Sequence, residues 1–192
     1  MDMSLETWDG DWGLPSVDLF SLQIMAYAKF SGAPLKLNKT NKPWHSPNGQ
    51  LPMFRHGPKI SFSRFGDITA YLRGQNYNAD FDLTKKQCSD IVAYSSLLRD
   101  KLYPAILYVL WVDSRNYTEL TRPWYTKVLP FPLKHFLPGY FQKKAQKTIY
   151  NFTGYDELEK EKMENFLFKE AQECLTRLSH RLGEDEFYFG KK

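Results

Sequence analysis

The apolar period changes once along this chain, and that change limits the fold more than any single motif does. Up to about Gly74, short alternating runs are interrupted by helical spacing, whereas from about Leu83 onward apolar residues recur only at helical spacing. Leu5 to Trp8, Pro34 to Leu37, Leu51 to Arg55 and Lys59 to Ser63 read as short strands, the last two joined by the turn residues His56-Gly57-Pro58. Ser16 reads as the N-cap of a first helix carrying Leu19, Leu22, Ala26 and Phe30 on its apolar face, with Asp18 in its first turn and Gly32 as its left-handed stop. Ile68, Tyr71 and Leu72 make a second helix ending at Gly74. The order strand, helix, strand, loop, strand, strand, helix is that of a thioredoxin-like domain, and in that fold the proline at position 52 is expected to follow a cis bond.

The second part reads as helices alone. Cys88, Ile91, Tyr94, Leu98, Leu102, Ala105 and Val109 form a long stripe expected to be buried, with a bend at Pro104. Asp156 and Glu159 read as a capping box for a helix bearing Met163, Leu167, Ala171, Cys174, Leu178 and Leu182, stopped at Gly183. The predicted class is therefore α/β plus all-α. A thioredoxin-like domain over 1–76 is followed by a helical domain over 77–192, the architecture of glutathione transferases.

Several function classes are excluded early. The chain has 192 residues with a net charge of +4, and its positive residues form no block of five or six, so nucleic acid is not the expected partner. Two cysteines 86 positions apart suit neither a disulfide scaffold nor a zinc site, and the four histidines have no HxxxH spacing. No phosphate-binding glycine motif occurs, and no cofactor is expected. The N-terminal twelve residues carry four acids and no base, unlike a secretory signal or mitochondrial presequence. The longest apolar stretch, Leu102 to Val112, has 11 residues. A helical span needs about 20, so the chain is not expected to cross a bilayer by itself.

The segment from Arg122 to Tyr155 stands out. It holds Arg122, Lys127, Lys134, Lys143, Lys144 and Lys147 with no Asp or Glu, interleaved with nine aromatic residues. Trp124, Tyr125, Phe131, Phe136, Phe141, Lys143, Lys144 and Lys147 are the candidate residues for a partner or membrane interface. The competing reading buries the aromatics between helices and leaves the lysines as a solvated face. Pro130, Pro132 and Pro138 argue against one continuous helix here.

Several stretches together resemble the metaxin family, and within it the first and third metaxins of animals. They are WGLPSVD from Trp12, KFSGAPLK from Lys29, PWHSPNGQLP from Pro43, YNADFDL from Tyr77, WVDSRNYTELTRPWY from Trp111, PFPLKHFLPG from Pro130 and ECLTRLSHRLG from Glu173. The resemblance implies a glutathione-transferase-like protein on the cytosolic face of the mitochondrial outer membrane. It would be a non-catalytic subunit of the sorting and assembly machinery for β-barrel proteins, beside the second metaxin and the barrel-forming core subunit. The relatives continue past FYFG with further helices and a hydrophobic tail anchor, which implies an incomplete helical half here. Two alternatives remain: a peripheral binder of anionic membranes, and a glutathione-using enzyme. The enzyme would need Ser16, Pro52 and Ser63 for its ligand, but Phe62 stands where a Gln or Glu would hold the γ-glutamyl end.

Overall fold

The computed structural model describes residues 2–155 and 157–189, and divides the chain into two compact units, Met1–Asp82 and Leu83–Lys192. In the first unit, β1 (Met3–Thr7) lies between β2 (Leu35–Lys39) and β3 (Met53–His56), with β4 (Ile60–Phe62) on the far edge of β3. β1 runs parallel to β2 and antiparallel to β3, so Leu5 has Leu37 on one side and Phe54 on the other. Alternation along β1 turns Met3, Leu5 and Thr7 inward. Met3, Leu5 and Phe54 then meet Ile24 of α1 (Leu19–Ser31) and Ile68 and Leu72 of α2 (Phe65–Gly74) in one core. The Leu51–Pro52 bond leading into β3 is cis, as the sequence led us to expect.

Two details of α1 differ from expectation. The cap is Asp18, not Ser16: Asp18 has extended backbone, and its Oδ2 accepts from both the amide and the hydroxyl of Ser21, each at 2.7 Å. Ser16 lies too early for that role. Its buried Oγ accepts from the Asp18 amide instead, while the Val17 amide donates to the Asp9 carbonyl and keeps the chain in a turn. The inward face is also rotated. Ser21, Ile24 and Ala28 are buried, whereas Phe30 of the expected stripe is 65% exposed. The sequence LFSLQIMAYAKFS is apolar on nearly every side, so spacing alone left the phase of the helix open. Gly32 ends α1 in the left-handed conformation, with a positive φ of 72°.

The second unit begins with α3 (Lys85–Leu97), capped by Thr84, whose Oγ1 accepts from the Gln87 amide while Gln87 Oε1 accepts from the Thr84 amide. The expected long buried stripe is corrected here. α3 has no fully buried residue, Cys88 and Leu98 are exposed, and burial becomes complete only at Pro104 and Ala105. Spacing identifies a helix but not how completely its apolar side is covered, and Ile91, Tyr94 and Leu97 are only half-buried. Wider π-turns at Leu98–Leu102 and Tyr108–Val112 flank α4 (Tyr103–Leu107), and the helical backbone runs on through buried Pro104. The one-turn α5 (Ser114–Asn116), a third π-turn over Tyr117–Thr121 and α6 (Arg122–Val128) follow.

α7 (Leu133–Thr153) and α8 (Lys160–Leu182) complete the unit. Ile149 of α7 packs with Met163, Leu167 and Ala171 of α8 and with Ala105 and Tyr108. The Tyr108 hydroxyl donates to Glu164 at 2.8 Å, and Lys101 pairs with Glu170, tying the preceding segment to α8. Pro138 does not break α7, contrary to expectation: it lies inside the helix, buried, near its N-terminal end, where only one backbone hydrogen bond is forfeited. Pro130 and Pro132 do separate α6 from α7, and the Phe131–Pro132 bond is cis. Of the expected stripe, Met163, Leu167, Ala171 and Cys174 are buried, while Leu178 and Leu182 are half-buried. The expected capping box includes Asp156, which lies outside the described residues. None of the helices among the described residues is long and apolar enough to cross a membrane.

Candidate functional site

The eight candidate interface residues divide according to helix phase. Trp124 and Tyr125, on α6, are 6% and 7% exposed and offer no docking surface, which corrects that part of the expectation. The physical reason is an aromatic cluster. The Tyr125 ring lies 4.8 Å from Trp124, 5.2 Å from Trp111 and 5.6 Å from Phe141, and Trp111 also meets Phe141 edge-on at 5.8 Å. Tilted and edge-on pairs at such distances contribute about 0.5–1.5 kcal/mol each beyond area burial. Phe141 is half-buried as the α7 member of this cluster.

The remaining candidates share an outer surface. Phe131 is 78% exposed just before α7, and Phe136 is 70% exposed in its first turn. From Phe136 the positions 140, 143, 147 and 150 follow at steps of 4, 3, 4 and 3, so they line one side of the helix. Tyr140, Lys143, Lys147 and Tyr150 there are all exposed, with Lys144 beside them. The opposite side carries Pro138, Ala145 and Ile149, all buried. α7 thus turns an aromatic-then-basic strip outward while its small and aliphatic residues hold it to the unit. Among the described residues, no ion pair uses Lys143, Lys144 or Lys147. Their charges are therefore presented to whatever approaches.

A cavity of about 220 Å³ opens on the flank of this strip, walled by Val112, Ile149, Tyr150, Tyr155 and Met163, with Gln146 and Lys147 at its rim. Sequence reasoning did not single out the cavity or Tyr140 and Tyr150 as site residues. The spacing from Phe136 could have pointed to the two tyrosines, but the cavity needs contacts between segments far apart in the chain.

The residues that a glutathione enzyme would require are differently employed. Ser16 is fully buried and accepts from Asp18, so its hydroxyl faces no ligand. Ser63 Oγ accepts from Asn48 Nδ2 at 2.8 Å, linking the loop before β3 to the end of β4. Phe62 packs against the rings of Phe54 and Tyr71, at 6.5 and 5.4 Å. Three or more His, Cys, Asp or Glu side chains gather nowhere among the described residues in a way that could hold a metal ion.

Of the groups whose titration is shifted in the packed regions, Asp18 and Tyr108 fasten helices to their surroundings. Burial pushes the Asp18 carboxyl above its ordinary value, against the opposing hydrogen bonds from Ser21. Burial, then the hydrogen bond to Glu164, holds the Tyr108 hydroxyl protonated well beyond its ordinary range. Neither group lies on the outward strip of α7.

Comparison with known proteins places these features in context. Residues 21–142 match a family described as outer mitochondrial membrane transport complex protein. Metaxin-1 of Homo sapiens is 48% identical over 98% of this chain and 41% of its own length, and metaxin-1 of Bos taurus is 48% identical over 98% and 60%. Metaxin-3 of Xenopus laevis is 41% identical over 98% of this chain and 61% of its own length. The chain thus spans between about two fifths and three fifths of these relatives.

Proposed function

This chain belongs to the metaxin family of outer mitochondrial membrane transport complex proteins, and from that premise we propose that it is a non-catalytic adaptor in protein import. It acts at the cytosolic face of the outer membrane, in the sorting and assembly machinery that inserts β-barrel proteins, with the second metaxin and the barrel-forming core subunit as partners. The fold assigned to this role is glutathione-transferase-like, a thioredoxin-like unit followed by a helical unit. The mixed sheet in the order β2-β1-β3-β4 beneath two helices supports that assignment.

The observation that carries the reading is the outward strip of α7. Exposed Phe131, Phe136 and Tyr140 beside exposed Lys143, Lys144 and Lys147 suit a protein interface, where aromatic anchors dominate binding energy. A catalytic reading lacks such support, because Ser16 is buried and Phe62 is a packing residue. The test is affinity purification of the tagged chain from mitochondria, followed by identification of co-purifying proteins. Recovery of the assembly subunits, reduced for a Phe131→Ala/Phe136→Ala variant, is the expected result. Absence of those subunits from the wild-type eluate would refute the adaptor role.

A further inference from the structure

The lysine strip and the cavity beside it are two independent features that meet at Lys147, which is both exposed on the strip and part of the cavity rim. Lys143 and Lys147 are one turn apart, about 6 Å along the axis, the same rise that separates two carboxylates at positions i and i+4 of another helix. The cavity lies less than a turn further on, at Ile149 and Tyr150. The whole stretch from Arg122 to Tyr155 has six basic residues and no acid, so the complementary surface is acidic.

We infer that this flank of α7 receives an acidic amphipathic helix from a partner protein, its carboxylates meeting Lys143 and Lys147 and one large apolar side chain filling the cavity walled by Val112, Ile149 and Met163. The inference rests on the adaptor reading and names the chemistry of the partner. A bilayer surface would satisfy the lysines equally well. It has no rigid knob to fill a concave site of about 220 Å³, and the match of charge spacing with a neighbouring apolar socket is what helix-in-groove recognition uses. On the α8 side, Glu159 pairs with Lys162 and Glu164 accepts from Tyr108.

The experiment uses the full chain and a synthetic helix of Glu and Leu, about 15 residues or longer so that it folds, with binding read by fluorescence anisotropy. Control probes are the same helix with Lys for Glu, the same helix with its central Leu replaced by Ala, and vesicles of phosphatidylcholine with one-fifth phosphatidylserine. The acidic helix is expected to bind, more weakly as salt rises. The variant Lys143→Glu/Lys144→Glu/Lys147→Glu should weaken binding about tenfold or more. Gln146→Trp, which fills the cavity mouth, should weaken it severalfold with an unchanged thermal midpoint, and the Ala-substituted probe should lose a similar amount. No binding of the acidic helix, or equal binding by the Gln146→Trp variant, overturns the inference. Vesicle binding abolished by the triple reversal, without helix binding, assigns the surface to lipid and overturns it too. So does a concentration-dependent dimer lost in the same variant, which would make the occupant a second copy. If the assembly subunits still co-purify when helix binding fails, only this inference falls; if they do not co-purify with wild type, the adaptor reading falls.

Discussion

Two clusters of aromatic residues within one short stretch of chain have opposite fates. Trp124, Tyr125 and Phe141 close on Trp111 inside the helical unit, while Phe136 and Tyr140 on the far side of α7, and Phe131 just before it, stand in solvent. Both clusters sit among basic residues, and both looked alike as composition. What separates them is helix phase: Phe141 lies about 100° around α7 from Tyr140, and one step turns a ring from outer strip toward core. Aromatic content beside lysine therefore marks an interface only after the buried side of the helix has been found.

The widest way to break that contrast is to truncate one ring on each side. Tyr125→Ala should cost about 3–5 kcal/mol of stability, as large-to-small changes at buried aromatics do, whereas Phe136→Ala should stay within about 0.5 kcal/mol. Urea unfolding of both variants checks this, and comparable losses would mean that the two clusters are not distinct.

A smaller effect tests how the core side is fastened. Tyr108→Phe removes the donor to Glu164 and should lower stability by about 1–2 kcal/mol, with no change in partner recovery. An unaltered unfolding midpoint would show that water replaces the tyrosine hydroxyl without loss.

The smallest effect comes from the sheet unit, as a control remote in sequence from α7. Asp18→Ala removes the cap of α1 and should cost about 1 kcal/mol, while Asp18→Asn keeps an acceptor and should cost less. Because burial raises the carboxyl's folded value above its unfolded one, its contribution is full below the ordinary carboxylate range and lost as pH rises through the raised value. The stability of Asp18→Asn relative to wild type should thus improve between about pH 4 and neutrality. A gap that narrows in the other direction would reverse the assigned shift.

The order of elements in the first unit was legible because its strands are short and separated by Gly and Pro, as at Gly57-Pro58 between β3 and β4. The α8 stripe was legible because Met163, Leu167, Ala171 and Cys174 repeat on an otherwise charged helix. α1 shows where this fails: with apolar residues on every side, it is the small Ser21 and Ala28 that approach the sheet, and larger Phe30 is left outside. The cap at Asp18 was missed because Ser16 offers the same chemistry two residues earlier. Thr84 and Gln87 carried a capping-box signal that the sequence reading passed over. At the candidate site, Lys143, Lys144 and Lys147 were chosen from charge alone and are exposed. Trp124 and Tyr125 were chosen as aromatic residues beside lysines and are core, because only packing against Trp111 distinguishes them.

The central claim is that the outer strip of α7 meets a partner while its inner side does not. A photocrosslinking residue placed at position 136 or 144 in the full chain, and at exposed Val92 of α3 as control, tests it in isolated mitochondria. The account predicts crosslinks from 136 and 144 to a subunit of the outer-membrane assembly machinery and none from 92. Crosslinks to that subunit from 92 alone, or from none of the three positions, would contradict it.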